Sequence, residues 1–303
     1  MIYTLTLNPS VDYILGLDEV NLGKLNRTKT EAKFPGGKGI NVSRVLCSLG
    51  VPNTATGFIG GFTGTYVKDY LTHEGIEAAF VNVSQDTRIN VKLKADEETE
   101  INARGPEISE KNVQMLKEQI KNLTKEDLLV LAGSIPSTLP ESIYEEVVHI
   151  CNERGVEFVV DAEGDILKRV LPYHPFLIKP NHHELGQFFN KEIQTCEEAI
   201  IYAKKLIELG AKNVIVSLAE KGAVFINKEK ALTASVPVGQ LMSSVGAGDS
   251  MVAAFLAKST VTGNLEDAFR YSVAAGSATA FSIGLGSPQK IEELLPQVQL
   301  KQS

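Results

Sequence analysis

Apolar positions along the chain switch repeatedly between strand-like runs and helical spacing, which predicts a largely parallel sheet covered by helices, an α/β fold. Residues 2–8 make the first strand, and 38–50 (KGINVSRVLCSLG) the first helix, with Gly50 near its end. A strand at 53–59, a helix near 64–74 and a strand at 76–83 continue the alternation. LLVLAG at 128–133 precedes a helix at 140–154, and VEFVVDA at 156–162 precedes one near 164–171. FLIKP at 176–180 leads into helices that start near Asn181 and Thr195. NVIVSL at 213–218 and GAVFIN at 222–227 form a strand pair, the second antiparallel to the first, and the chain after Gly246 is expected to be helical.

Two segments, 11–33 and 87–103, break this alternation. INVKLKA within the second has period-two alternation, its surroundings are polar, and neither segment has a helical partner. They are expected to form one small sheet that projects from the core, either as a solvated hairpin or as a lid over a cleft. The rest is expected to be a single domain spanning 1–303.

Composition narrows the class. The 303 residues are 43% hydrophobic and 22% charged, ordinary values for a globular chain with a sizeable core. MIYTLTLN has no basic flank and is not expected to be a leader, and no apolar stretch approaches the roughly 18–20 residues of a bilayer span. Net charge is −7 with lysines and arginines scattered, which argues against nucleic acid as a partner. Cys47, Cys151 and Cys196 lie far apart, without the spacing of a metal site or a disulfide framework. A reducing, cytoplasmic setting is the expectation.

Chemistry concentrates in three motifs. In SSVGAGDSMVAAF (243–255), Gly246, Ala247 and Gly248 precede Asp249 at the start of an apolar helix. Backbone N–H groups in such a turn, with the positive end of the helix dipole, form an anion hole. A carboxylate beside that hole suits a base for a hydroxyl attacking a phosphoryl group, although Asp249 would also serve as a simple cap. In PGGKGINVSR (35–44), Gly36 and Gly37 allow close backbone approach, and Lys38 and Asn41 supply a cation and an amide. It is neither a Walker A loop nor a dinucleotide fingerprint. In KPNHHEL (179–185), Asn181 and Glu184 have capping-box spacing, and Glu184 is also placed to hold magnesium through water. His182 and His183 are expected to face different ways and to be surface residues.

The order NPSVD (8–12), PGGKGIN (35–41), KPNHHE (179–184) and SVGAGDS (244–250) resembles the PfkB family of carbohydrate kinases, over essentially the whole chain. The resemblance implies a ribokinase-like fold with a small β-sheet lid, and ATP with Mg2+ as cofactors. TLTLNPSVD, TRINVKLK, ETEIN and LAGSIPSTLP are most similar to the sugar-phosphate branch, which implies fructose 1-phosphate as substrate, with tagatose 6-phosphate next. It further implies that Asp12, Gly36, Gly37, Lys38 and Asn41 bind the sugar, and that Arg88, Asn90 and Ser134 meet its phosphate. ATP would lie by Lys179, Asn181, Ser217 and Gly222, its adenine against Val273, Gly276 and Ser277, with Lys24 reaching its phosphates. Asp249 would be the base. Arg104 is a further cation, but it sits outside the recognisable motif and is left unassigned. A homodimer through the lids and a K+ site near the 280–286 carbonyls are also implied. The competing readings are a dinucleotide-dependent oxidoreductase, disfavoured because LNPSVD lacks a glycine fingerprint, and a non-catalytic sugar-phosphate sensor.

Overall fold

The computed structural model describes residues 1–162 and 164–302. The chain opens with β1 (Ile2–Thr6), β2 (Ser10–Gly16), β3 (Thr30–Gly36), α1 (Lys38–Ser48), β4 (Asn53–Gly60), α2 (Gly61–His73), β5 (Glu77–Ala78), β6 (Val81–Val83), β7 (Arg88–Lys94) and β8 (Glu98–Ile101). It continues through α3 (Glu110–Lys121), β9 (Leu128–Ala132), α4 (Ile143–Arg154), β10 (Glu157–Asp161), α5 (Asp165–Val170), β11 (Leu177–Ile178), α6 (His182–Phe189), α7 (Cys196–Glu208) and β12 (Asn213–Ser217). β13 (Ala223–Asn227), β14 (Ala231–Ala234), α8 (Ala247–Thr262), α9 (Leu265–Ala280), α10 (Pro288–Leu294) and β15 (Leu300–Gln302) complete it.

Among the described residues the large sheet runs β15-β14-β13-β12-β11-β10-β9-β1-β4-β5, with β6 also paired to β4. Pairing is parallel from β12 through β4, and antiparallel among β12 to β15. Both faces of the parallel part are covered, which is why strands such as LLVLA read as continuous apolar runs. Along β9, Leu129 and Leu131 enter one core and Val130 and Ala132 the other. α8 is apolar nearly all round because it is buried between the sheet and α9, with Met251 through Ala257 all inaccessible.

The second sheet is small, in order β3-β2-β7-β8, and is built from the two segments that break the alternation. Only parts of those segments are strand; residues 17–29 form an exposed connection between β2 and β3. One face of this sheet carries Ser10, Asp12, Arg88, Asn90, Lys92 and Glu100; the register pairs Ser10 with Arg88, Asp12 with Asn90 and Lys92 with Glu100. Val11, on the opposite face, joins a separate core with Ile40, Ile59 and Val67.

Several elements differ from the sequence expectation. The run at 76–83 is two short strands, because β5 pairs with Thr54–Ala55 and β6 with Phe58–Gly60. α3 was not anticipated, although Ser109 caps it by accepting from the Asn112 amide and Leu116 and Ile120 bury an i, i+4 stripe. The C-terminal part is not all helix: β15 returns to pair with β14. No helix among the described residues is long and apolar enough to cross a membrane. All three cysteines are free, on α1, α4 and the start of α7.

Candidate active site

Site residues gather at the carboxyl ends of the parallel strands, where an open α/β sheet ordinarily forms its crevice. β1 delivers Asn8, β9 delivers Gly133, β10 ends on Asp161, β11 leads to Lys179, and Ser217 ends β12. Against this row lies the N-terminus of α8. Its N-cap is Gly246, in the left-handed region at φ 80°, and no side chain caps the helix. The Ala247 amide donates to the Ser244 carbonyl at 3.3 Å, and with no side-chain cap the helix presents an electropositive end.

Asp249 sits in that first turn and is only 5% exposed. Its Oδ2 accepts a 2.8 Å hydrogen bond from Asn41 Nδ2. Burial, and then the nearby Asp161 carboxylate, push its pKa up to about 6, while Asn41, Lys38 and Lys179 restrain the rise. Lys179, 5% exposed, stands beside the same turn: a Cβ on Gly248 would lie 2.8 Å from its Nζ, so glycine there lets the ammonium approach the helix end. Lys38 Nζ lies 3.4 Å and Lys179 Nζ 3.9 Å from Asp161 Oδ1. Asp161 Oδ2 is buried with no hydrogen-bond partner. A carboxylate so placed is costly unless something completes its coordination.

Glu184 completes this group. It forms a full capping box with Asn181: the Asn181 amide donates to Glu184 Oε2 at 2.8 Å, and the Glu184 amide to Asn181 Oδ1 at 2.9 Å. Burial raises its pKa, countered by Lys179 and the Asn181 bond, and Asp161 adds to the rise. The capping box leaves the carboxylate within electrostatic reach of Lys179, Lys38 and Asp161.

The small sheet supplies the other end. Asp12 Oδ1 accepts from Ser10 Oγ at 2.7 Å and from Asn90 Nδ2 at 3.1 Å, and Oδ2 lies 3.4 Å from Lys92 Nζ. A Cβ on Gly36 would lie 2.3 Å from Asp12 Oδ1, so only glycine fits where β3 crosses this carboxylate. The chain then runs through Gly37 into α1, and within residues 36–41 it passes from Asp12 to Asp249. Arg88 donates from Nε and Nη2 to the Asn8 carbonyl and from Nη1 to that of Ala103. Ser134 is exposed in the loop after β9, next to Gly133, which faces Lys38.

Other anticipated residues are placed differently. Lys24 is not brought to this cluster: it lies in the exposed connection beyond Gly16, at the opposite end of the β2–β3 hairpin from Gly36. Gly276 has a packing reason, since a Cβ there would lie 2.6 Å from Met251 Cγ and part α8 from α9. Val273 is buried in the core, and Ser277 is bonded to the Val273 carbonyl of its own helix. Gly222 lies in the turn between β12 and β13 at φ 109°, and Ser217 forms a parallel bridge with Asn181. His182 and His183 do not face apart; their ring centroids are 3.9 Å from each other, and His182 Nδ1 is buried without a partner. In the 280–286 segment, the Ala280 carbonyl accepts from Met242 and Ser243 and the Phe281 carbonyl from Lys290, so these oxygens are already committed.

Asp161 and Lys92 stand within these clusters, and sequence reading did not find them. Asp161 has one signal, a lone carboxylate at the C-terminal end of an apolar strand. Lys92 is hidden in the alternation of INVKLKA, yet it is 7% exposed and bridges Asp12 to Glu100.

The profile of the pfkB family of carbohydrate kinases matches residues 5–292. The chain belongs to that family. It is an ATP-dependent sugar kinase of ribokinase-like fold. It is 51% identical to the 1-phosphofructokinase of Bacillus subtilis (strain 168), covering 99% of each chain. It is 38% identical to a D-tagatose-1-phosphate kinase of Bacillus licheniformis, again over 99% of each. The crystal structure of phosphofructokinase-2 from Escherichia coli in complex with substrates and products superposes with a TM-score of 0.93, at 30% identity over 98% of each chain.

Proposed function

We propose that this kinase transfers the γ-phosphoryl group of ATP to the 6-hydroxyl of fructose 1-phosphate, giving fructose 1,6-bisphosphate. The observation that carries the reading is Asp249: a buried carboxylate in the first turn of an uncapped helix, held by Asn41 and flanked by Lys38 and Lys179. A group that titrates near 6 is ionised at neutral pH yet basic enough to take a hydroxyl proton. As the sugar oxygen attacks phosphorus, Asp249 accepts its proton. In the Gly246–Gly248 turn the Ala247 amide already donates to the Ser244 carbonyl, so the Gly246 and Gly248 amides, with Lys179, would face the charge gathering on the transferring group.

A base at Asp249 must meet a free hydroxyl, so the phosphate already on the sugar binds at the far end of the site. Asp12, held by Ser10, Asn90 and Lys92, accepts sugar hydroxyls beside Gly36, Gly37 and Asn41. Arg88, Asn90 and Ser134 border the phosphate end. ATP lies toward Lys179, Asn181, Ser217 and Gly222, with its base toward Val273, Gly276 and Ser277 on α9. The unpartnered Asp161 Oδ2 and the adjacent Glu184 fit a magnesium ion held partly through water. When bound, magnesium would offset charge on the ATP phosphates. The chain works as one kinase unit whose small sheet is a lid. A second copy would cover the exposed Ile89 and Ile101 of that sheet, in the cytoplasm where ATP is made.

The tagatose kinase relative favours a second reading, tagatose 1-phosphate as acceptor, since it carries phosphate on the same carbon. A coupled ATP assay across fructose 1-phosphate, tagatose 1-phosphate, fructose 6-phosphate and tagatose 6-phosphate tests both. The highest kcat/KM should fall on fructose 1-phosphate. Preference for either 6-phosphate would overturn the orientation, and no turnover of any ketose phosphate would overturn the kinase reading.

A further inference from the structure

We infer that Arg104 makes a direct side-chain contact with the substrate phosphate, and that Ser137 aims it. The inference rests on the reading of a phosphorylated ketose as acceptor. Arg88 is half-buried and three of its five N–H donors are engaged with backbone, from Nε and Nη2 to Asn8 and from Nη1 to Ala103. Burial also lowers its pKa, partly offset by Asp12. Arg88 is therefore a scaffold: its fork holds together the end of β1 and the strand-free segment after β8.

That segment, 102–106, has no regular structure, yet side chains hold its backbone at 103, 104 and 106. The Ala103 amide donates to Asn90 Oδ1 at 3.2 Å and its carbonyl accepts from Arg88. The Arg104 carbonyl accepts from Asn8 Nδ2 at 3.3 Å, and the Pro106 carbonyl from Thr138 Oγ1 at 3.2 Å. A loop pinned this way spends little further entropy when it binds. On it, the exposed Arg104 makes one side-chain bond, from Nε to Ser137 Oγ at 2.7 Å. That bond spans from the small-sheet side to the loop after β9, which carries Ser134 and, through Gly133, borders Lys38. Fixing Nε leaves both Nη groups as a planar pair of donors, the geometry that grips a phosphate monoester.

The test measures steady-state kinetics and calorimetric binding of fructose 1-phosphate for Arg104→Ala, Arg104→Lys and Ser137→Ala. For Arg104→Ala, KM and Kd for fructose 1-phosphate should rise roughly 10- to 100-fold, as for a lost charged hydrogen-bond pair. KM for ATP, kcat/KM for unphosphorylated fructose and the melting temperature should stay close to wild type. Arg104→Lys should recover part of the loss, because charge returns without the fork. Ser137→Ala should cost about 3-fold. An unchanged KM for fructose 1-phosphate in Arg104→Ala would overturn the assignment. So would an equal loss on fructose, or a rise confined to KM for ATP, which would place Arg104 at the nucleotide. Wild-type binding of fructose 1-phosphate without turnover would sink the transfer reading and leave Arg104 in place.

Discussion

At the α8 end, Asp161, Lys179 and Asp249 are each at most 5% exposed, and their positions follow from strands covered on both faces and from one buried helix. At the small-sheet end the polar face has one buried cation, Lys92, between Asp12 and an exposed Glu100, while Ile89 and Ile101 remain 39% and 57% exposed. The first group cannot shift without disturbing the main core. The second rests on a separate apolar cluster around Val11 and Ile40 and on side-chain bonds to loops. On the proposed function, chemistry is set on the rigid part, where burial perturbs pKa values, and recognition on the part with the smaller core.

The sharpest way to break this division is Asp249→Asn. Turnover should drop by roughly 10²–10⁴, because the amide keeps the shape and loses proton acceptance. A variant that keeps more than a tenth of wild-type turnover would remove Asp249 from the base role. Stability should move the other way. The folded pKa of Asp249 is raised from 3.8 to about 6, so its contribution is intact below pH 4 and lost as pH rises through 6. Asn removes that loss, so the variant should be more stable than wild type at pH 7, by about 1–3 kcal/mol, and equal to it near pH 4. In wild type, kcat/KM should rise with pH through about 6 and level off. A profile flat down to pH 5 would contradict a base with this environment.

Arg88→Ala tests the other end. It releases the Asn8 and Ala103 carbonyls together, so kcat/KM for fructose 1-phosphate should fall about 10- to 150-fold, with faster hydrogen exchange in 102–106. A loss of affinity with unchanged exchange would make Arg88 a direct ligand instead of a scaffold.

A smaller effect is expected at the junction between cap and site. Glu184→Gln keeps an acceptor for the Asn181 amide, so the capping box should survive and the melting temperature should barely move. The charge facing Lys179 and Asp161 disappears, and the magnesium concentration for half-maximal rate should rise several-fold, to about 3- to 10-fold. A large loss of stability at normal magnesium dependence would reduce Glu184 to a cap.

What could be read in advance follows the same line between the regions. Asp249, Asn41 and Gly36 were legible because their turns need small residues at fixed offsets, a local requirement that leaves a local trace. Asn181 and Glu184 were legible for the same reason, as a capping box. Asp161 was not, because its neighbours VEFVVDA match any buried strand, and its significance depends on two lysines more than a dozen residues away. Lys92 alternates correctly for a solvated strand face, yet it is buried between Asp12 and Glu100 of the neighbouring strands. Arg104 lies in a segment with no period at all, ordered by Asn8, Asn90 and Thr138 from three separate parts of the chain. Lys24, which the family resemblance directs to the ATP phosphates, lies at the far end of the β2–β3 hairpin from Gly36.

The smallest signal, and the one that bears most directly on the comparison, is motion of the small sheet. Its strand β3 joins the body through Gly36, its strand β7 is tied by Arg88 to the Asn8 carbonyl after β1, and its apolar back packs on few residues. A lid built this way should close when sugar and nucleotide are both present, keeping water from the transferring phosphoryl group. Hydrogen exchange of 10–16 and 88–101 should then slow by a few-fold to about 10-fold in the ternary complex with a non-hydrolysable nucleotide. Sugar phosphate alone should give a partial effect, since Asp12, Asn90 and Arg104 are all on the sugar side. The strands β9 to β12 should show no change, because their amides are already in a sheet covered on both faces. Equal protection of the small sheet in free and ternary protein would mean that both ends are equally rigid. In that case the distinction between a fixed catalytic end and an adjustable recognition end would fail.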